Sequence, residues 1–436
     1  GLAPVPGIKS GPFSPVKSTF VETRIVQHDR TPLVSVVVPA FRAANSIEAS
    51  VRSLMNQTWR NLEILVVVDG PDRELERKVR ALKAEDSRIR VIVNVSNMGA
   101  YVCRNLGLEG ARGEFVTVND ADDWSHPERI SRQMVPVCGD GGPLVTTSRL
   151  IRVSPDLHPF SGVVLNSSSL LAPRKLLLQM RGWLPARVNS DGALMMCIRH
   201  QFGRKVIEEV SPNIPLALAQ QGVGSLTSDE SNGYRARDEV GGSRRIFVEG
   251  VKASLESGVL DLGVGVLRKR TYIPRSIRVR NYRNCPRFDL VIFSDLTFAD
   301  STNRIREIKG SPSEYRKVAL VHFPCNLERV LSPIHPDVFR MVAEDKMEIL
   351  DTAQCAKAAR LLLVIRGMHP IPARLPGLSQ IGAVDIYQEC DDIPFWQTSA
   401  LANRLIKALS LIDPPPVLGI RCRGSDKDQM SVSSCP

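Results

Sequence analysis

The sequence predicts an α/β protein built on a mostly parallel β-sheet with helices on both faces. The first observation is that continuous apolar runs alternate with segments of helical periodicity. Such unbroken apolar runs are typical of parallel strands buried on both faces. The second observation is that proline or acidic residues end these runs abruptly. The predicted strands are Leu33–Val38, Leu62–Val68, Ile89–Val93 and Phe115–Val118.

The segments between these strands are predicted to be helices. Asn45 is placed to cap the first helix, with Glu48 three residues later as its capping-box partner. Asp72–Asp86 and Ala100–Ala111 are the second and third predicted helices. Because parallel strands need crossover connections, these helices are expected to cover both faces of the sheet.

Three carboxylates follow the fourth predicted strand directly, at Asp120, Asp122 and Asp123. Carboxylates two residues apart can face one cavity, and hard divalent cations prefer such oxygen ligands. A metal-bound diphosphate suits this pattern, whereas the alternative is a solvated acidic turn. Pro39 and Asp69 end the first two strands at the same predicted edge of the sheet. Ligands of such sheets bind outside the carboxyl ends of the strands, so three loops are expected to converge on one crevice.

A set of ordered motifs resembles glycosyltransferase family 2, which has the GT-A fold. The motifs are Val34–Phe41, Leu54–Thr58, Glu63–Gly70, Asn97–Gly99, Cys103–Leu108 and Gly113–Asp123. The resemblance implies an inverting transfer of a sugar from a nucleotide-diphosphate sugar, by analogy a UDP-sugar, to a hydroxyl group. It also implies a glycan or lipid-linked acceptor, bacterial cell-surface polysaccharide or glycoconjugate synthesis, and Mg²⁺ or Mn²⁺ as cofactor.

The resemblance assigns roles to residues of the donor site. Pro39 and Phe41 are expected to border the nucleotide. Asp69 is expected to meet its base, and the alternative for this residue is a turn-forming Asp. Arg104 is expected to approach the donor phosphates, and the alternative is an exposed helix residue. Val68 stands where the family usually has a further acidic residue.

The resemblance also assigns the metal ligands and the catalytic base. Asp120 and Asp122 are expected to make the ribose and metal contacts, with Asp122 as the direct ligand. Asp123 is expected to support the loop. Asp191 is the predicted base that activates the acceptor hydroxyl, and the alternative is a helix N-cap. Ser190 replaces the acidic residue that usually precedes this base.

Length and composition limit the number of domains and the cellular compartment that can be expected. The chain has 436 residues, which is more than one core usually covers. No apolar run approaches the roughly 18 residues of a membrane span. Nine cysteines without a Cys-x-x-Cys pair favour a reducing compartment, so a cytoplasmic location is expected, with peripheral contact at the inner face of the plasma membrane.

The net charge of +11 is concentrated in the region 268–287, which contains no acidic residue. Its basic residues are Arg268, Lys269, Arg270, Arg275, Arg278, Arg280, Arg283 and Arg287. Contact with an anionic membrane or a lipid phosphate is one interpretation, and a solvated connector is the other. Nucleic acid is not the expected partner, because no recognition motif accompanies the cluster.

A second, smaller and partial Rossmann-like α/β segment is predicted after the basic region. Residues 287–375 resemble loosely the first half of a GT-B glycosyltransferase. The predicted divisions are a flexible tail over 1–31, a GT-A domain over 32–226, a basic connector over 227–286, the partial Rossmann-like segment over 287–395 and a C-terminal tail over 396–436. The alternative to an active enzyme is a catalytically inactive GT-A-shaped binding partner in a glycan-assembly complex. The sequence does not favour a nucleotidyltransferase, because the segment after the first strand, Pro39–Asn45, contains no glycine and so lacks a glycine-rich phosphate loop.

Overall fold

The computed structural model divides the chain into two compact units. The described residues are 31–154, 157–220, 242–256, 272–278, 285–310, 315–326, 329, 332–351, 355–366, 377–388 and 417–422. The first unit contains the described residues up to 220, and the second contains those from 242 onwards. Among the described residues, no helix is both long enough and apolar enough to cross a membrane.

The first unit begins with the alternating strands and helices that the sequence predicts. Its elements are β1 (Val34–Ala40), α1 (Ile47–Met55), β2 (Leu62–Val68), α2 (Arg73–Glu85), β3 (Ile89–Val93), α3 (Ala100–Gly110), β4 (Phe115–Val118), β5 (Asp123–Ser125), α4 (Arg129–Cys138), β6 (Val145–Val153), β7 (Val164–Pro173), α5 (Arg174–Gln179), α6 (Ser190–Phe202), β8 (Ile207–Glu209) and β9 (Pro215–Gln220). β1 and β2 are buried along their whole length, as expected for largely apolar sequences, and the burial includes the polar residues Ser35 and Glu63.

The order of the strands places the candidate site. β3, β2, β1 and β4 lie side by side in that order and run parallel. β7 joins β4 in the antiparallel direction, and β6, β9 and β5 continue the sheet, with β8 paired to β6. The chain runs from β1 towards β3 and then returns to β4 on the other side, so a crevice opens outside the carboxyl ends of β1 and β4. The predicted α/β fold with a mostly parallel sheet is confirmed.

The sequence positions α3 close to β1 and fixes the start of α2. A Cβ atom added to Gly107 of α3 would lie 2.3 Å from Cγ1 of Val37, so only glycine permits this approach. Asp72 caps α2 by accepting a hydrogen bond of 3.0 Å from the backbone N–H of Leu75. The predicted Asn45 cap of α1 is wrong. The chain already turns with α-helical angles at Ser46, which takes the cap position without a side-chain bond.

The second unit is also a layered α/β structure, with a fully parallel sheet. Its elements are α7 (Ser243–Glu256), β10 (Arg287–Ser294), α8 (Ser301–Lys309), β11 (Val318–His322), α9 (Pro336–Glu344), β12 (Glu348–Ile349), β13 (Cys355–Ile365), β14 (Gly377–Gln388) and β15 (Val417–Cys422). The strand order is β12-β11-β10-β13-β14-β15, and every neighbouring pair is parallel. The predicted second α/β segment is thus confirmed, and β14 and β15 are strands that the sequence analysis did not identify.

Two predicted ranges contain elements of this unit. α7 lies within the range predicted as a basic connector, and its apolar face packs in the core beside α9. β15 lies within the range predicted as a C-terminal tail. Of the eight basic residues in the region 268–287, Arg275, Arg278 and Arg287 are described and the other five lie outside the described residues. Arg275 pairs with Glu348 at 3.2 Å.

Candidate active site

The acidic loop after β4 is held to the protein by a buried asparagine. Asn119 donates hydrogen bonds of 3.0 Å to the hydroxyl of Ser50 and to the backbone carbonyl of Asp123. Its own carbonyl oxygen accepts a bond of 2.8 Å from Ser125. These bonds join the loop to α1 and β5, so the loop has a fixed shape. Asp122 lies exposed on it, whereas Asp123 is buried.

Negative charge is concentrated on this loop. Although Asp122 is exposed as a residue, protein atoms crowd its carboxyl, and this loss of hydration, followed by the charge of Asp120, raises the pKa of Asp122 to about 6. Burial, and then the charge of Asp122, raise the pKa of Asp123 well above its usual range. Arg129 at the start of α4 is completely buried and donates to the carbonyl of Val118 at 3.2 Å. Burial lowers the pKa of Arg129 to about 10, although the charge of Asp123 opposes this shift.

Arg104 of α3 joins the acidic loop to the start of α6. Its Nη2 lies 2.7 Å from Oδ1 of Asp120, and its Nη1 lies 2.5 Å from Oδ1 of Asp191. Oδ1 of Asp120 and Oδ1 of Asp191 contact the two terminal nitrogens of the same planar guanidinium, so the two oxygens are at most about 7.5 Å apart. Arg104 is only 3% exposed. Burial opposes its charge, but the two carboxylates outweigh this effect and raise the pKa of Arg104.

Asp191 is held by three side chains and does not cap its helix. It is the second residue of α6, and Asn189 occupies the N-cap position. The indole N–H of Trp183 donates to Oδ1 of Asp191 at 2.8 Å, on the oxygen that Arg104 also contacts. The hydroxyl of Tyr101 donates to Oδ2 at 3.1 Å. The alternative prediction, that Asp191 is the N-cap of α6, is therefore wrong.

Asp69 organises the loop that leads into α3. Its carboxylate is buried and accepts bonds of 2.8 Å from the backbone N–H groups of Met98 and Gly99, and one of 3.3 Å from Asn94. Gly99 precedes α3 with a φ of 88°, a conformation that favours glycine. Because Arg104 is on α3, Asp69 indirectly sets the position of that arginine.

The first strand ends in an exposed aromatic residue. Pro39 lies in β1 opposite Val67, and Phe41 follows the strand with 51% of its surface exposed. The guanidinium of Arg42 lies 5.2 Å from the ring centre of Phe41, and Arg42 has a φ of 50°. Val68, at the end of β2, is fully buried. Phe41 thus offers a free aromatic surface at the edge where the acidic loop lies.

The donor atoms of the loop suit a cation whose coordination a ligand completes. Within the described part of the chain, no three His, Cys, Asp or Glu side chains are arranged to hold a metal ion by themselves. Asp120 and Asp122 nevertheless provide carboxylate oxygens two residues apart, and Asp122 is exposed. Mg²⁺ usually takes one or two carboxylates and fills its remaining positions with substrate phosphates and water. The residues present therefore fit such a cation.

The structure brings three predicted site residues into direct contact and adds two that sequence reasoning missed. Arg104, Asp120 and Asp191 form one connected group. Tyr101 and Trp183 complete it through Asp191. Tyr101 lies three residues before Arg104 on the same helix, a spacing that signals a shared face. No sequence pattern identifies Trp183, because its contact depends on how the chain folds before α6.

Part of this chain is similar in sequence to known glycosyltransferases. Residues 35–160 match the family model described as glycosyl transferase family 2. The putative glycosyltransferase EpsH of Bacillus subtilis is 37% identical over 115 residues, which are 26% of this chain and 33% of EpsH. The UDP-Glc:alpha-D-GlcNAc-diphosphoundecaprenol beta-1,3-glucosyltransferase WfgD of Escherichia coli is 37% identical over 102 residues, 23% of this chain and 40% of WfgD. The crystal structure of S. aureus TarS 1-349 in complex with UDP-GlcNAc superimposes with a TM-score of 0.41 at 18% identity, covering 54% of this chain and 68% of that chain.

The matched region contains part of the site, since Trp183 and Asp191 lie beyond residue 160. The chain spans about a third of the length of EpsH and two fifths of that of WfgD. The region matched by the family model contains β1 to β5, the acidic loop and Arg104. The resemblance predicted from the sequence is thereby confirmed over residues 35–160, which match the model of glycosyl transferase family 2.

Proposed function

We propose that this chain is an inverting glycosyltransferase that moves a sugar from a nucleotide-diphosphate sugar to a hydroxyl acceptor in bacterial cell-surface polysaccharide or glycoconjugate synthesis. The observation that carries this proposal is the position of Arg104 between Asp120 and Asp191. It joins a carboxylate at the donor edge of the sheet to a second carboxylate on another element. Sugar transfer with inversion needs two sides of one site. The side with Asp120 would receive the donor diphosphate, and the side with Asp191 would remove the proton of the acceptor hydroxyl.

The name of one relative supports the donor and acceptor classes. WfgD is named for transfer from UDP-Glc to a sugar on diphosphoundecaprenol. We infer a UDP-sugar donor and a glycan or lipid-linked acceptor for this chain. Phe41 and Pro39 would border the nucleotide, since Phe41 is exposed at the end of β1. Asp69 would meet the base beside the loop that it already holds.

A divalent cation, Mg²⁺ or Mn²⁺, is part of the proposal. Asp122 would be its direct ligand and Asp120 would assist, because both carboxylates stand on the fixed loop after β4. Such a cation neutralises charge on the diphosphate as it leaves. Arg104 contributes by holding Asp120 in place beside Asp122, since its own charge is already paired with Asp120 and Asp191.

The chemical step can be assigned to Asp191. The acceptor hydroxyl gives its proton to Oδ2 of Asp191, the oxygen bonded only by Tyr101 among the described side chains. As this proton leaves, the hydroxyl oxygen attacks the anomeric carbon, and the bond to the nucleotide diphosphate breaks with both electrons going to the phosphate oxygen. Trp183 and Arg104 hold Oδ1 of Asp191, so the carboxylate keeps one orientation during the attack.

The test is donor hydrolysis and sugar transfer across a panel of nucleotide sugars with Mn²⁺, using purified wild type, Asp122→Asn and Asp191→Asn. Asp140→Asn is the matched control, since Asp140 is an exposed carboxylate on the loop after α4. We expect transfer by the wild type and the control, and a loss of at least a hundredfold in both site variants. Donor binding, measured by calorimetry, should persist in Asp191→Asn and weaken in Asp122→Asn.

The remaining outcomes distinguish an active glycosyltransferase from a catalytically inactive binding partner. Donor binding without turnover, for every sugar and acceptor tried, would favour the catalytically inactive binding partner. Full activity of Asp191→Asn would leave the transferase in place and exclude Asp191 as its base. Full activity in the presence of EDTA would exclude the cation.

A further inference from the structure

The strand order of the second unit creates a second crevice. The chain passes from β10 to β11 and β12 on one side, and then returns to β13, β14 and β15 on the other. The order therefore reverses between β10 and β13, which are parallel neighbours. In open α/β sheets, ligands bind outside the carboxyl ends of the strands at this point of reversal. The residues that follow β10, β11 and β13 consequently lie at this crevice.

Two arginines lie on one aromatic ring at this edge. The guanidinium carbon of Arg329 lies 3.9 Å from the ring centre of Phe298, and that of Arg366 lies 3.8 Å from it. Two guanidinium groups at these distances cannot share one face of a ring without overlapping. They therefore lie on opposite faces, and Phe298 holds both by cation–π contact.

The two arginines differ in their charge partners. Arg366 forms an ion pair with Asp300 at 3.3 Å, a carboxylate that it shares with Arg304, which lies 2.5 Å from it. Arg329 donates to the hydroxyl of Thr297 at 3.1 Å, and no carboxylate of the described residues pairs with it. An arginine that is positioned by a hydroxyl and an aromatic face, without an acidic partner, is ready to receive an anion.

The loop that carries this group is built rigidly. Asp295, directly after β10, is 3% exposed and accepts bonds from the backbone N–H and the hydroxyl of Thr297 at 3.0 and 2.6 Å. Its other oxygen accepts a bond of 2.7 Å from the N–H of Cys325, after β11. Asp295 therefore ties the two loops together and fixes the hydroxyl that positions Arg329. α8 begins a few residues later, and no side-chain bond caps it.

We propose that this crevice is a second anion site, which binds a phosphate-bearing ligand through Arg329. Guanidinium and phosphate match in geometry, because two N–H groups of one arginine can reach two phosphate oxygens. Phe298 and Thr297 act as positioning residues that keep the guanidinium at the edge of the sheet. The ligand is a phosphomonoester or diphosphate, which either a nucleotide or a lipid-linked sugar carrier would present. The residues of this site all belong to the second unit, and the proposal does not depend on the proposed transfer reaction.

The test is calorimetric titration of the full chain with inorganic pyrophosphate in EDTA, which removes cation-dependent binding at the acidic loop. Arg329→Gln is compared with Arg340→Gln, a control on α9 that removes the same charge from an arginine paired with Asp337. We expect the wild type and the control to bind pyrophosphate equally. Arg329→Gln should bind at least tenfold more weakly, which is about 1.4 kcal/mol. Arg329→Lys, which keeps the charge without the planar fork, should fall between them.

The same titration with UDP and with farnesyl diphosphate distinguishes the sources of the phosphate. Equal affinities for all three probes, each reduced in Arg329→Gln, would mean that the phosphate group alone is recognised. A preference for UDP would indicate a nucleotide, and a preference for farnesyl diphosphate a lipid carrier. The proposal is overturned if the wild type binds none of the probes, or if Arg329→Gln and Arg340→Gln bind them equally. Thermal unfolding of each variant establishes that it is folded.

Discussion

Replacing Trp183 by phenylalanine tests whether the contacts around Asp191 serve catalysis. The substitution removes the indole N–H that donates to Oδ1 of Asp191 at 2.8 Å and leaves most of the ring in place. Trp183 is only 1% exposed, so solvent does not readily replace the lost donor. Asp191 keeps the bond from Arg104 on the same oxygen and the bond from Tyr101 on the other.

These contacts set the expected size of the effect. A hydrogen bond to a charged group contributes about 1.5–3 kcal/mol. Because Arg104 still satisfies Oδ1, the loss should lie near the lower limit, at about 1.5 kcal/mol. If the bond orients the base in the transition state, kcat should fall about tenfold, since about 1.4 kcal/mol corresponds to a factor of ten. The KM for the donor should remain within about twofold, because Trp183 has no predicted contact with the nucleotide.

The assay is steady-state sugar transfer with saturating donor, together with urea unfolding of each variant. Trp59→Phe is the matched control. Its indole N–H donates to the backbone carbonyl of Pro32 at 3.2 Å, and the residue is 7% exposed in the same unit. Both substitutions should destabilise the protein by a similar amount, but only Trp183→Phe should lower kcat. An unchanged kcat in Trp183→Phe, or an equal fall in both variants, would refute the role assigned to Trp183.

Three further predictions concern stability. Gly107→Ala should cost about 1–3 kcal/mol in urea unfolding, because the new Cβ meets Val37 at 2.3 Å, whereas Gly162→Ala, with open space around it, should change the unfolding free energy by less than about 0.5 kcal/mol. Glu63→Gln should cost about 1–3 kcal/mol at pH 7. Burial opposes the charge of Glu63, but its hydrogen bonds outweigh this and lower its pKa below 4.5, so its stabilisation is present above that pH and is lost as the pH falls below it. The difference between Glu63→Gln and wild type in acid unfolding should therefore shrink below pH 4.5, and a constant difference would contradict this cause. Arg104→Met should cost about 3–5 kcal/mol in urea unfolding, because it leaves two carboxylates without their counter-charge, and a cost under 1 kcal/mol would show that the bridge is not formed in solution.

The first half of the fold could be predicted because its signals are local. Largely apolar runs such as Leu62–Val68 are found as buried parallel strands, with the predicted order of strands and helices. Asp72 is an N-cap of a favoured residue type, but the sequence analysis did not identify it. β14 and β15 were missed because Gly377–Gln388 mixes polar and apolar residues, and because Val417–Cys422 is short and follows a run of prolines.

The connections within the site could be predicted only in part. The sequence indicates that Asp120 lies at a strand end and that Arg104 lies on a helix near the donor edge, because both are local properties. It does not indicate that Arg104 reaches Asp191, which is 87 residues away and on a different element. A contact over that separation depends on the positions of two helices against the sheet, which no local pattern encodes.

The structure also changes what the predicted carboxylates are expected to do. Asp69, Asp120 and Asp191 all accept bonds from the protein itself, whereas Asp122 is exposed. Residues that were predicted to contact ligands therefore hold the loop before α3 and the start of α6 in place. The bond of Asp69 to Gly99 fixes α3, and α3 in turn places Arg104 between the two sides of the crevice. Since one group of bonds supports both the proposed donor site and the proposed base, loss of a member should impair folding and transfer together. Asp122 lies outside this group, so a substitution there reports on ligand binding with the least disturbance of the fold.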